Sequence, residues 1–170
     1  MSENYIIIHG SFGSKDGNWF PWLKEQLEKQ NKVVDVPQMP IGVGNQNFEN
    51  WSNILNKLTM NENTIIIAHS IAPIFVCKYL ITNKIKVKKL IFVCGFNNYL
   101  GINEEYDNVN KSMYFDSLED IKQSTCSAVA EECRSAFKMR DSRFSLHMII
   151  GNRLWMFMNS TLSIRFIQRT

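Results

Sequence analysis

Over its first 93 residues the chain alternates between two kinds of hydrophobic spacing. Short β-branched runs at 5–8, 32–36, 64–68 and 87–93 predict strands. Between them, apolar residues recur at intervals of three and four, as on one face of a helix. The first such stretch, 19–30, turns Phe20, Trp22, Leu23 and Leu27 toward one face and carries Pro21 in its first turn, where no backbone donor is needed. The second, 48–58, sets Phe48, Trp51, Ile54, Leu55 and Leu58 at helical spacing, and a third helix is predicted over 72–82. Pro37 ends the second strand, and two prolines with two glycines make 37–47 a loop. Residues 95–120 hold Tyr99, Tyr106, Tyr114 and Phe115 among Asn and Glu, with little periodicity until 118–122. They read either as one wall of a binding site or as a long surface connection.

Strands alternating with helices predict an α/β domain with a parallel sheet covered on both faces. Ligands of such sheets bind beyond the C-terminal ends of the strands. Ser11, Ser70 and residues 95–98 all follow strands and are expected to gather at that edge. The Trp and Phe stripes read as core. Trp19 is the exception, because it lies in the loop after the first strand and is read as a lining residue.

The junction at 64–76, TIIIAHSIAPIFV, carries the chemistry. A serine on a sharp strand-to-helix turn projects its hydroxyl above the sheet edge, and the amides opening the helix can stabilise an oxyanion. Small residues two before and two after the serine let the backbone arms pass closely. Here they are Ala68 and Ala72, giving A-H-S-I-A in place of G-x-S-x-G. The competing assignment for Ser70 is an ordinary helix N-cap. The first strand stops at His9-Gly10, and Gly10, Gly13 and Gly17 fit neither G-x-G-x-x-G nor a P-loop. An H-G loop after an early strand can supply a second oxyanion amide. His9 reads as a buried structural histidine at a strand end, with no proton-transfer role.

These motifs, H-G-S-F-G-S, N-W-F-P-W-L-K-E-Q-L-E, D-V-P-Q-M-P, Trp51, A-H-S-I-A and F-V-C-G-F-N-N, come in one order. In that order the chain resembles the small YdeN-like serine hydrolases, relatives of retinoblastoma-binding protein nine in the α/β-hydrolase superfamily, over roughly residues 5–122. The resemblance implies Ser70 as nucleophile, with oxyanion amides from Ile71 and Ser11. It also implies an Asp in a D-x-x-V-P-like segment and a His in a G-G-H-like segment after residue 122, and neither motif occurs. The only late acid and histidine are Asp141 and His147. Their order matches an α/β-hydrolase triad, but six residues are too few to set them on successive strand ends.

Composition narrows the rest. At 170 residues and 45% hydrophobic content, the chain is expected to form one soluble domain, 1–170. No apolar run approaches membrane-spanning length, and MSENYIII lacks the features of a signal peptide. Cys77, Cys94, Cys126 and Cys133 show no C-x-x-C spacing, so a cytoplasmic protein without disulfides, metal or cofactor is expected. Glu104, Glu105, Asp107, Asp116, Glu119 and Asp120 read as solvated carboxylates.

The net charge of +3 hides an asymmetry. Residues 1–133 hold 12 Lys, no Arg and 15 acids, a balance of −3. Residues 134–170 hold six Arg, Lys138 and the single acid Asp141, a balance of +6. A basic arm for nucleic acid is one interpretation. Against it, the arginines are scattered among Leu, Met, Phe and Ile, and no nucleic-acid or membrane partner is expected. An abrupt switch from Lys to Arg points to a changed coding origin, a frameshift or rearranged 3′ end beginning between Gln123 and Arg134.

The expected function is hydrolysis of an ester, thioester or amide of a small acyl substrate through Ser70, impaired by the anomalous stretch of about 123–170. The alternative is a non-catalytic binding protein that keeps the pocket. Loss of the terminal strands would leave a sheet edge open to pairing with another copy. The coding hypothesis predicts that the DNA behind residues 123–170, read in its other two frames, encodes D-x-x-V-P and G-G-H segments. Their absence from both frames would overturn it.

Overall fold

The computed structural model describes residues 3–95, 101–115, 146–150 and 153–157. Strand β1 (Asn4–Ile8) leads to helix α1 (Phe20–Glu28), β2 (Val33–Asp35), α2 (Phe48–Leu55), β3 (Thr64–His69), α3 (Ala72–Asn83) and β4 (Lys89–Val93). A short helix α4 (Glu104–Asn110) runs into a 3₁₀ turn (Lys111–Met113), and β5 (Leu146–Ile150) and β6 (Arg153–Phe157) close the described chain.

The first four strands form a parallel sheet in the order β2-β1-β3-β4. From β1 the chain steps to one side to make β2, then returns past β1 to make β3 on the other side. Side chains on a strand alternate between faces. Ile7, Val34, Ile65 and Ile67 therefore pack on one face around Phe20 of α1. Ile6, Ile8, Ile66 and Ala68 pack on the other, against Trp51 and Leu55 of α2 and Ile74, Phe75 and Leu80 of α3. Both faces are covered, as the near-continuous Ile run of β3 requires of a central parallel strand. The connection from β1 to β2 and the connection from β3 to β4 leave adjacent strands in opposite directions. This opens a crevice at the C-terminal ends of β1 and β3.

The α/β class and the order of elements through β4 follow the sequence pattern. Two boundaries and one helix face differ most. Helix α2 stops at Leu55, and β4 begins at Lys89 instead of Val87. Trp22 does not join the buried face of α1: it lies about 200° around the helix from Phe20 at 3.6 residues per turn, and is 49% exposed. The stretch expected to lack periodicity contains α4, capped by Asn103, whose side-chain oxygen accepts from the Tyr106 N–H at 2.8 Å. Seven residues are too few for a hydrophobic stripe to register, so the cap is the signal that was legible.

Cys77, buried in α3, is disulfide-bonded, against the expectation of thiols throughout; its partner lies outside the described residues. A disulfide is set by spatial proximity, which the spacing of cysteines along the chain does not reveal. No described helix is long and apolar enough to cross a membrane. Strands β5 and β6 form a separate antiparallel pair, Leu146 opposite Phe157 and Ile150 opposite Arg153. The stretches 116–145 and 158–170 lie outside the described residues.

At the opposite end of the sheet from the crevice, Glu3 bridges Lys32 at 3.0 Å and Lys88, tying the starts of β1, β2 and β4. Hydrogen bonds from Lys88 and then Lys32 pull the Glu3 carboxyl from 4.5 down to about 2. A carboxyl whose folded pKa is depressed favours folding above its unfolded value and loses that contribution as pH falls through the folded one. In a pH series of urea unfolding, Glu3→Gln is expected to lose stability at pH 6 and to converge on the parent as pH falls from about 4.5 toward 2. Added salt is expected to shrink the difference, since the bridges are partly solvated.

Candidate active site

Strand β3 ends at His69, and the chain turns into α3 within two residues. Ser70 makes the turn with φ of 61°, in the left-handed region that a residue with a Cβ enters at a cost of about 1–2 kcal/mol. Ile71 already has helical dihedrals, and Pro73 occupies the first turn of α3, where its missing N–H is harmless. Ala68 and Ala72 are fully buried where the two arms of the turn pass. The sheet follows the chain into the turn: the Ser70 N–H donates to the Val93 carbonyl at 2.9 Å.

The loop after β1 packs directly on this turn. A methyl group on Gly10 would lie 2.5 Å from Ser70 Cβ and 3.0 Å from Ser70 Oγ, so only glycine lets the backbones approach this closely. The next residues fold back, with the Gly13 N–H donating to the Gly10 carbonyl at 3.1 Å. The Phe12 N–H donates to Gln46 Oε1 at 3.0 Å. Of the three amides after Gly10, only that of Ser11 has no partner among the described residues. The Ile71 amide, at the mouth of α3, likewise takes no described partner. Two uncommitted donors therefore flank Ser70, one from each side of the crevice.

Two histidines stand nearby, and each has a structural explanation. His9 is fully buried: its Nδ1 pairs with the Gly10 carbonyl at 2.8 Å, and its Nε2 accepts from the Met39 N–H at 3.0 Å. That pattern needs a neutral ring protonated at Nδ1, and burial pushes its pKa down. His69 lies edge-on to Trp19 and Phe20, with ring centroids 6.0 and 5.7 Å away. Burial, with His9 as a secondary cause, lowers its pKa, and its Nδ1 is buried without a described partner. Trp19 thus caps His69 beside the turn. Neither histidine is hydrogen-bonded to Ser70 among the described residues. His147 falls on β5 opposite Met156; its side chain and Asp141 lie outside the described residues, as do residues 96–98 of the loop after β4. No three His, Cys, Asp or Glu side chains gather to hold a metal among the described residues.

Sequence reasoning missed two polar residues beside the turn, Gln46 and Asn110. Both are buried, at 2% and 0% exposure, and both bond to the loop after β1. They are 64 positions apart, and Gln and Asn in polar segments carry no signal of burial.

A parallel sheet wrapped on both faces, with a strained serine between a central strand and its helix, defines an α/β-hydrolase. The chain matches the family model described as "Serine hydrolase" over residues 5–131 and belongs to that family. It is 29% identical over 135 residues to the putative hydrolase YdeN of Bacillus subtilis, covering 76% of this chain and 69% of that protein. The crystal structure of the B. subtilis ydeN gene product superposes with a TM-score of 0.57 at 28% identity, covering 72% of this chain and 67% of that one. An extracellular α/β-hydrolase from a Paenibacillus species aligns at 16% identity, with a TM-score of 0.47 over 57% of this chain and 42% of that one.

Strain held at Ser70 has a measurable consequence. Glycine adopts the left-handed conformation without penalty, so Ser70→Gly is expected to be more stable than Ser70→Ala by about 1 kcal/mol. Paired urea titrations check this, and equal midpoints would show that the turn is unstrained.

Proposed function

We propose that this serine hydrolase cleaves the ester, thioester or amide bond of a small acyl compound through an acyl-enzyme on Ser70. The observation that carries the proposal is the left-handed turn at Ser70, packed on Gly10 between two uncommitted amides. Ser70 Oγ attacks the acyl carbonyl, and its proton passes to a base or to solvent. The carbonyl oxygen becomes an oxyanion, for which the Ile71 and Ser11 N–H groups are the proposed donors. The tetrahedral centre collapses, the carbon–leaving-group bond breaks, and the leaving group takes up a proton. Water then attacks the acyl-serine, releasing the carboxylic acid and restoring Ser70.

Turnover is proposed to be weak. A serine hydroxyl without an imidazole is a poor nucleophile at neutral pH. His9 spends both ring nitrogens on backbone groups. His69 lies edge-on to Trp19 and Phe20 and makes no hydrogen bond to Ser70 among the described residues. The absence of an imidazole bonded to Ser70 among the described residues favours a second reading, a non-catalytic protein that uses the crevice to bind.

Labelling with a fluorophosphonate and hydrolysis of p-nitrophenyl acetate separate these. Slow labelling and turnover, both lost in Ser70→Ala, are expected, because oxyanion donors and binding alone leave about 10³–10⁴-fold acceleration over water. No labelling of the parent protein would select the binding reading. His147→Ala is expected to change the rate less than about twofold, the residual acceleration being that of a triad without its base. If it abolishes activity as fully as Ser70→Ala, and the parent rate rises through a pKa near ~6.5, the C-terminal part supplies the base and turnover is not impaired.

A further inference from the structure

A closed hydrogen-bond network joins three distant parts of the chain beneath the crevice. Asn110 Oδ1 accepts from the Ser11 hydroxyl at 2.7 Å and from Gln46 Nε2 at 2.8 Å. Asn110 Nδ2 donates to the Tyr106 carbonyl at 2.9 Å, one turn back in α4. Gln46 Oε1, in turn, accepts from the Phe12 N–H at 3.0 Å. The directions are fixed by chemistry: each amide oxygen faces donors, and each of these amide nitrogens faces an acceptor. Asn110 and Gln46 are almost wholly buried, where a polar group left unpaired is costly.

What this network holds is unusual backbone. Phe12 has φ of 51°, a conformation that bulky residues with a Cβ rarely adopt. Its ring is 42% exposed and meets Tyr106 at 6.2 Å, so deep burial of the ring does not explain the strain. The bond from Phe12 N–H to Gln46 does explain it. With that amide engaged and Ser11 Oγ held by Asn110, the peptide between Gly10 and Ser11 is fixed from its C-terminal side. Gly10 fixes it from the other side by its contact with Ser70.

We propose that Gln46 and Asn110 are positioning residues, clamping the turn after β1 so that the Ser11 amide faces Ser70. The proposal deepens the reading of Ser70 as nucleophile and rests on it. The clamp has two consequences. It withdraws the Phe12 amide from the crevice and leaves Ser11 as the donor on this side. It also makes the oxyanion-side loop depend on α4, a segment on the far side of α2 in sequence and nearly a hundred residues from Ser11.

The test uses the full chain with Gln46→Met, which keeps size but loses both polar partners, and Asn110→Asp. Hydrogen exchange at the Phe12 amide reads the clamp directly, with the Ile66 amide of β3 as internal reference. Gln46→Met is expected to speed Phe12 exchange by about 10–100-fold relative to Ile66, the loss expected for one buried bond. Asn110→Asp keeps the Oδ1 acceptor. When protonated, it can also donate to the Tyr106 carbonyl, so its Phe12 exchange is expected to approach the parent's at low pH and to exceed it at neutral pH. Fluorophosphonate labelling per folded molecule is expected to slow about tenfold in Gln46→Met, and kcat to fall with KM nearly unchanged, as for a donor used in the transition state. Unchanged Phe12 exchange in both variants would overturn the clamp. Faster exchange with undiminished labelling would overturn its positioning role. If the parent is not labelled at all, the hydrolase reading fails while Phe12 exchange still decides the clamp.

Discussion

Between Gly10 and Ser70 there is room for a hydrogen atom and not for a methyl group, which would sit 2.5 Å from Ser70 Cβ. Most of the site follows from that close approach. Two parallel strands side by side, with connections leaving in opposite directions, bring the ends of β1 and β3 together at one sheet edge. The pairing register sets Ile8 beside Ala68, so the residues that follow, Gly10 and Ser70, are neighbours before any side chain is considered. The packing of Ile6, Ile8, Ile66 and Ala68 against α2 and α3 is what holds the register. A slip by one residue would turn every one of these side chains to the other face. Core hydrophobicity thereby sets the geometry of a polar turn.

Strain and burial are spent in the same small region. Ser70 and Phe12 both have positive φ, and beside them lie His9, fully buried, and His69, partly buried. A buried imidazole whose pKa is depressed stays neutral in the folded chain, while the unfolded chain binds a proton below the ordinary value of 6.5. Both histidines therefore withdraw stability as pH falls below that value, and neither adds any as pH rises above it. Glu3 acts in a lower window, its contribution being full above about 4.5 and fading toward about 2. The crevice end of the sheet is thus the acid-sensitive end in mildly acidic conditions, and the Glu3 end becomes so only at lower pH.

How much of this was legible in the residues depends on whether the signal was local. The strands of the sheet announced themselves as Ile- and Val-rich runs, and α1 to α3 as periodic stripes, because burial on a fixed face imposes a repeat. Ser70 was legible because a serine between a β-branched run and small residues is a local pattern. Trp22 was misjudged because one helical turn counted loosely tolerates a residue on the wrong side. Asn110 and Gln46 were invisible: a buried amide is recognisable only by its partners, and these lie 34 to 99 positions away. Helix α4 was missed for a related reason, since its anchorage is the Asn103 cap and the Asn110 network in place of an apolar stripe.

The division of labour along the chain follows from which groups need long-range assembly. Everything proposed to stabilise an oxyanion lies within residues 10–71, at the ends of the central pair of strands, and among the described residues its support reaches as far as Asn110. Backbone amides survive any substitution except proline, and the turn that presents them is fixed by glycine and by core packing. The base that would activate the serine is a side chain, and it must be brought from another element to within hydrogen-bond reach of Oγ. Neither His9 nor His69 is hydrogen-bonded to Ser70 among the described residues, and beyond the four-stranded sheet the composition changes and the expected histidine motif is absent from the sequence. The proposed oxyanion donors therefore lie in the part of the chain that matches the family, whereas a base for the proposed nucleophile would have to come from the part whose sequence departs from it. On the proposed reading, a site divided in this way would retain transition-state electrostatics, commonly the largest single contribution in acyl transfer, even with an unassisted nucleophile.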